Sequence, residues 1–233
     1  MPLNRNGHTG SLMTAARPAS APERQRDPER TRTEILDVAA REFARLGYDG
    51  ARVDEIAALT RTTKRMIYYY FGGKEQLFVA VLERAYTEVR KAEAAIDVDH
   101  LAPLDAIRRL AELTYDHHLD HQDFIRLVSI ENVHEAQHLR TSEVLANLGA
   151  PAIDLITRIL TAGKADGSFT TDVDAIDVHM MISSFCVFSV ANRHTFQTLF
   201  DRDLAGADRR AHYRTMIGEM VVAYLTGVGR PVV

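Results

Sequence analysis

Between Thr60 and Glu75 the chain reads TRTTKRMIYYYFGGKE, which sets four cations, Arg61, Lys64, Arg65 and Lys74, in a run with no acid before Glu75. Thr62 or Thr63 is placed to cap a short helix over TTKRMIYYYF that stops before Gly72 and Gly73. Lys and Arg donate to guanine O6 and N7, and a threonine methyl packs on a thymine methyl. Thr62, Thr63, Lys64 and Arg65, all in the first turn of this helix, are therefore candidates for base readout and local backbone contact. Tyr68 and Tyr69 extend the polar face with hydroxyls suited to phosphate. Lys74 stands where a fourth helix begins, so its charge adds to the exposed N–H groups there. Tyr70 and Phe71 read as packing. Taken alone, the stretch also suits ordinary core beside solvated cations, but the missing acid and the surrounding pattern favour a nucleic acid.

A second chemistry is written in the histidines. His117 with His121, and His134 with His138, stand at i, i+4 spacing, which can set two imidazoles on one helical face to bind a metal. The run His134-Glu135-Ala136-Gln137-His138 also fits the His-Glu-x-x-His pattern of zinc hydrolases. That reaction needs a third ligand, a cleft and usually a supporting sheet, none of which the sequence suggests. No catalytic residue, resident metal or cofactor is assigned. A metal-responsive regulator and a zinc hydrolase remain the alternatives.

The elements that must position these residues read as helices throughout. Ile35, Ala39, Phe43 and Leu46 recur at helical spacing until RLGYDG stops the pattern, with Gly47 placed to take the left-handed conformation. VDEIAAL is a short second helix, TTKRMIYYYF a third, and KEQLFVAVLERAYTEV a long fourth. Together the second and third form a helix-turn-helix pattern. Pro103 opens a fifth helix, and DFIRLVSIENVHEAQHL is a sixth. A seventh runs from near Ser142 or Pro151 to Ala165 and closes in GKADGSF. Thr171 and Asp174, at capping-box spacing, open the most apolar helix, Ala175 to about Phe196. A last helix carries Met216, Ile217, Met220, Val221, Tyr224 and Leu225. The expected fold is all-α, with about nine helices and no convincing strand.

Composition bounds the remainder. The chain has 233 residues, 46 % of them hydrophobic, enough for a sizeable core. The single cysteine, Cys186, excludes an internal disulfide, and the N-terminus lacks the apolar stretch of a signal peptide, so a cytoplasmic location is expected. The longest uncharged run, between His179 and Asn192, falls short of a membrane span. A net charge of −4 excludes a uniformly basic surface but not a local patch. Residues 1–27, rich in Pro, Ala, Gly, Ser and Arg, read as a disordered arm. Its Arg5, Arg17, Arg24 and Arg26 either reach a minor groove or belong to an idle tail. Residues 28–74 then form the helix-turn-helix domain, and 75–230 a helical ligand-binding and dimerisation domain.

The span from Ile35 to Leu82, through the F..LGY of the first helix, the IA of the second, TK..IYYYF and KEQL, resembles the DNA-binding domain of the TetR family of bacterial transcriptional regulators. GKADGSF is similar to the linker before the last two helices in many members. There is also a resemblance to the subgroup that controls catabolism of nicotinate-like and pyrimidine-like heterocycles. Two positions depart from the family pattern: Arg61 stands where glycine is common in the turn, and Arg52 where a threonine usually caps the second helix. Arg52 therefore joins the candidate DNA contacts as an altered surface offered to phosphate.

The resemblance implies a homodimer on a palindromic operator in double-stranded DNA, most often as a repressor. It implies that the last two helices form a four-helix bundle across a two-fold axis. It also implies a small-molecule effector, an aromatic or heterocyclic acid being one class, held among the helices behind the reader. Polar or aromatic residues spaced along apolar helices are the candidate lining: Tyr115 and His118 on the fifth helix, Arg126, Ser129, Asn132, Val133 and His134 on the sixth, and Phe185, Phe188 and Asn192 on the eighth. Arg126 would pair with a carboxylate, and Phe185 and Phe188 would stack on a ring.

Overall fold

The computed structural model describes residues 27–96 and 100–227. The arm expected over residues 1–27 lies outside them except for Asp27, and so does the end of the expected C-terminal domain beyond Gly227. Asp27 caps the first helix, α1 (Pro28–Gly50), by accepting from the Glu29 amide at 3.1 Å, and Pro28 opens the helix where no amide hydrogen is needed. Ile35, Ala39 and Phe43 recur four residues apart along α1, with Leu36 beside them, and all are buried. At Gly47 a φ of 76° breaks the helical path, a conformation that glycine adopts without a Cβ penalty.

Two short helices follow, α2 (Val53–Leu59) and α3 (Lys64–Phe71). Thr60 ends α2, its buried hydroxyl donating to the Ile56 carbonyl at 2.8 Å. Arg61 then takes φ 51°. Its amide donates to Ala58 O at 3.2 Å and the Thr62 amide to Ala57 O at 3.0 Å, a paired reversal that usually falls on glycine. For a side-chain-bearing residue the left-handed conformation costs about 1–2 kcal/mol. Thr63 is the cap of α3, its hydroxyl oxygen accepting from the Met66 amide at 3.3 Å.

Eight further helices complete the chain: α4 (Lys74–Ala94), α5 (Pro103–Asp120), α6 (Gln122–Val133), α7 (Glu143–Asn147), α8 (Ala150–Ala165), α9 (Ala175–Ala191), α10 (Arg193–Phe200) and α11 (Ala207–Thr226), with one 3-10 turn at Leu139–Thr141. The described residues contain no strand. Among the described residues eleven α-helices stand where about nine were expected, because two expected helices are each divided. The seventh splits at Leu148 and Gly149, with Pro151 in the first turn of α8, and the eighth bends by 68° between α9 and α10 at Asn192. The sixth is also shorter than expected. It stops at Val133, and Glu135 and Ala136 take φ of 54° and 57°, which no right-handed helix admits.

The expected capping box at Thr171 and Asp174 is not made. Asp174 precedes α9 without a side-chain capping bond, and the Thr171 hydroxyl instead donates to Tyr224 O at 2.6 Å, fastening the linker to the end of α11.

Two hydrophobic cores result. One joins α1, α2 and α3 to the first half of α4 through Ile35, Phe43, Ile56, Ile67, Leu77, Phe78, Val81 and Leu82, and Leu127 of α6 completes it. The other holds Val89 of α4 with the inner faces of α5, α8, α9 and α11. Across α5 and α11, Arg210 bonds Asp116 at 2.9 Å and Asp120 at 2.6 Å, and Arg214 bonds Asp116 at 2.8 Å and Glu112 at 2.7 Å. The stretch Glu143–Ala165 has the length and apolar content of a membrane span, but it is divided between α7 and α8, and Leu155, Ile156, Ile159 and Leu160 are buried in the second core.

Candidate nucleic-acid interface and helical chambers

Beyond the turn at Arg61, the first turn of α3 is open to solvent. Thr63, Lys64 and Arg65 are exposed, Thr62 is half-buried, and Ile67 and Phe71 anchor the opposite face in the first core. Lys64 is not without an acid, as the stretch around it implied. It pairs with Asp54 of α2 at 3.2 Å, both side chains about half exposed, a surface pair that phosphate can displace at small cost. Tyr68 is exposed and Tyr69 is 77 % exposed, whereas Tyr70 is half-buried and packs edge-on against Tyr69. Arg52 is exposed just before α2.

Lys74 opens α4, whose start has no side-chain cap. Its ammonium lies 4.7 Å from the centre of the Tyr48 ring and donates to Asp49 O at 3.3 Å. Tyr48 in turn packs on the His138 ring, centroids 4.3 Å apart, and His138 Nδ1 bonds the fully buried Glu131 of α6 at 2.6 Å. The reading surface is thus joined through packed rings to the helical domain.

The His-Glu-x-x-His reading is corrected here. A zinc site of that kind needs both imidazoles on one turn of helix, but α6 ends at Val133, and Glu135 and Ala136 leave the helical path. His138 is committed to Glu131, and His134 lies beside Tyr48. His117 and His121 do stack, 4.1 Å apart, at the end of α5. Among the described residues no group of three or more His, Cys, Asp or Glu side chains is arranged to hold a metal.

The expected effector lining does not converge on one cavity. Tyr115 is fully buried, its ring beside Phe185, and its hydroxyl has no hydrogen-bond partner. His118 lines a cavity of about 240 Å³ between α4 and α5 with Val89, Glu93, Ile96 and Thr114. Burial, reinforced by the neighbouring His117, pushes the His118 imidazole down to about 4, so it is neutral at pH 7. Arg126 and Ser129 line a separate groove of about 340 Å³ with Arg45, Gln122 and His194, and Arg126 faces Asp123 at 3.6 Å.

Three others point elsewhere. Val133 is 81 % exposed, Asn132 is exposed with its amide donating to Val128 O, and Phe188 is exposed with its ring against Phe196. His134 and Asn192 are half-buried at helix ends.

A cavity of about 500 Å³ lies instead between α4, the Leu139–Thr141 turn, α7 and α9, lined by Tyr86, Arg90, Leu139, Arg140, Leu145, Ala146, Leu148, Gly149 and His179. Its polar members were not singled out from the sequence. The signals were Tyr86 and Arg90 at i, i+4 on α4 and a histidine within the uncharged run of α9.

Family profiles match both parts of the chain: "Bacterial regulatory proteins, tetR family" over residues 35–81 and "Tetracyclin repressor-like, C-terminal domain" over 103–221. The HTH-type transcriptional repressor NicS of Pseudomonas putida is 36 % identical over 199 residues, covering 85 % of this chain and 94 % of NicS. The chain belongs to the TetR family of bacterial transcriptional regulators.

Among solved structures, SCO4942 of Streptomyces coelicolor is 28 % identical, with a TM-score of 0.61 over 82 % of this chain and 97 % of that one. A tetR-family regulatory protein of Rhodococcus RHA1, 21 % identical, shares the fold at a TM-score of 0.66 over 84 % and 96 % of the two chains. The tetR-family match spans the helix-turn-helix of α2 and α3, and α4 leads from it towards the C-terminal match that begins at residue 103.

Proposed function

We propose that the protein is a homodimeric repressor that binds a palindromic operator in the cytoplasm and is released by a small-molecule effector, an aromatic or heterocyclic acid. The observation that carries this reading is the open first turn of α3, where Thr62, Thr63, Lys64 and Arg65 stand together while Ile67 and Phe71 lock the helix from behind. An α-helix enters the major groove, its first residues meet base edges, and flanking groups hold phosphate. Tyr68, Tyr69, Lys74 and Arg52 are the proposed phosphate contacts. The family supports the dimer and the effector, and the name of NicS supports repression.

A single reader of this size makes too few contacts for tight specific binding, so two copies are needed. We place the dimer face on α9, α10 and α11, where Ile176, Met180, Phe188, Leu199, Phe200 and Met220 are exposed. In the proposed mechanism, a ligand that binds one dimer geometry better than another shifts the spacing of the two α3 helices relative to successive major grooves.

The test is retention of sheared genomic DNA by the ligand-free protein, followed by sequencing. A short palindrome should be enriched, and its binding should weaken steeply as salt rises. Lys64→Ala should reduce operator affinity about tenfold, by the roughly 1–3 kcal/mol of a good base contact. Failure of the folded wild-type dimer to enrich any sequence at low salt would overturn the reading.

A further inference from the structure

His138 belongs to the C-terminal family match, yet its ring is packed against Tyr48 and Phe78 of the reader. A reversal of the chain brings it there. Past Val133, Glu135 and Ala136 take φ of 54° and 57°, and the Ala136 amide donates back to Glu131 O at 2.8 Å, which folds the segment over the last turn of α6. Both conformations are unfavourable for residues that carry a side chain, so the surrounding contacts must hold them.

Glu131 supplies those contacts. It is fully buried, and its carboxylate accepts from His138 Nδ1 at 2.6 Å through one oxygen and from the Leu139 amide at 3.1 Å through the other. Ser142 adds a second tether, its hydroxyl donating to Glu83 of α4 at 2.6 Å. A buried polar pair is seldom worth more than the apolar residues that could replace it, so its use here points to orientation rather than to filling.

The imidazole so fixed meets Phe78 edge-on at 4.9 Å and Tyr48 at 4.3 Å between centroids. Tyr48 follows directly on the break in α1 at Gly47. Over the same Tyr48 ring lies the Lys74 ammonium, 4.7 Å from its centre and donating also to Asp49 O at 3.3 Å. A lysine stem loses rotamer freedom when it grips a phosphate, and one already held over a ring loses less. The uncapped start of α4 offers its N–H groups to the same anion.

We propose that His138 is a positioning residue for DNA binding: Glu131 fixes its ring, the ring seats Tyr48, and Tyr48 presents Lys74 to a backbone phosphate. This role rests on the phosphate reading of Lys74 given above and adds the residue that sets it in place.

The test is fluorescence anisotropy of a labelled mixed-sequence duplex titrated with the full-length protein at several salt concentrations. His138→Gln keeps a donor for Glu131 and removes the ring. Its affinity should fall about two- to fivefold, the worth of one exposed cation–ring contact, and the slope of log affinity against log salt should flatten towards that of Lys74→Ala, by up to about 0.9 for one phosphate. A core that is merely loosened lowers the active fraction and leaves that slope alone. In a Lys74→Ala background His138→Gln should cost nothing more. Tyr48→Leu should repeat the loss, and Tyr48→Phe, which keeps the ring, should recover most of it.

Should His138→Gln fail to fold, the pair His138→Leu with Glu131→Gln, which leaves an acceptor for the Leu139 amide without a buried charge, carries the same expectation. Unchanged affinity, a loss at unchanged slope, or an equal loss with and without Lys74 would each overturn the proposal. Binding that is steep in salt but indifferent to His138 overturns it alone, whereas failure of the folded wild-type protein to bind the duplex at low salt overturns the DNA-binding reading with it.

Discussion

His118 is nearly sealed between α4 and α5, edge-on to Phe124, with its Nδ1 lacking a partner. Burial takes its imidazole down to about 4, while in the unfolded chain it titrates near 6.5. Below pH 6.5 the unfolded chain therefore binds a proton that folded His118 refuses, and stability must fall as the pH drops from 6.5 towards 4. For this one residue the loss by pH 4 is on the order of 3 kcal/mol. Urea denaturation across that window should show the decline, with a shallower slope in His118→Gln; equal slopes would contradict it. His118 was visible in the sequence as a polar residue on an apolar stripe. What it faces was not visible, because Glu93 of α4 and Ile96 just beyond that helix line the cavity with it from a distant part of the sequence.

The GKADGSF linker turns on one close approach. Phe169 is buried and its amide donates to Gly163 O at 2.9 Å, and a Cβ added at Gly163 would lie 2.1 Å from the Phe169 ring. Alanine at 163 gains up to about 1 kcal/mol of helix propensity but forces the ring from its seat, typically a cost of ~1–3 kcal/mol. Gly163→Ala should therefore lower the thermal midpoint, and an unchanged or raised midpoint would show that the ring relocates freely.

Elements such as this were legible because their signals are local. Apolar spacing marked α1 to α5, and Gly47 marked the end of the regular part of α1. The reversal at Glu135 and Ala136 was not legible, since neither residue is one that favours positive φ. The face of α3 could be read for the same reason as its helix, from eight consecutive residues. The cavity of about 500 Å³ could not, because α4, the Leu139–Thr141 turn, α7 and α9 each supply only one to three of its walls.

On the scale of the whole molecule, Ile176, Met180, Ser184 and Phe188 repeat every four residues along the outside of α9, all exposed, and Leu199 and Phe200 continue the apolar surface on α10. Contiguous exposed apolar side chains on helices that already have a filled core mark a protein contact. Met180→Asp should convert the dimer to a monomer in light scattering at micromolar concentration and abolish operator retention, with the helical content of the monomer preserved. A dimer that survives both Met180→Asp and Ile176→Asp would place the two-fold contact elsewhere.

The shared helix has a different consequence. α4 gives Leu77, Phe78, Val81 and Leu82 to one core and Val89 to the other, and Leu127 of α6 is buried with the reader's own residues. Reader and sensor are therefore poor interchangeable cassettes. A chimera spliced at residue 74 or 75 inherits five of the sixteen buried residues of its reader's core from the recipient scaffold, so exchanging C-terminal domains between such regulators means matching a buried surface as well as joining two chains. Recombination that ignores this seam yields a reader with a hole beneath its recognition helix.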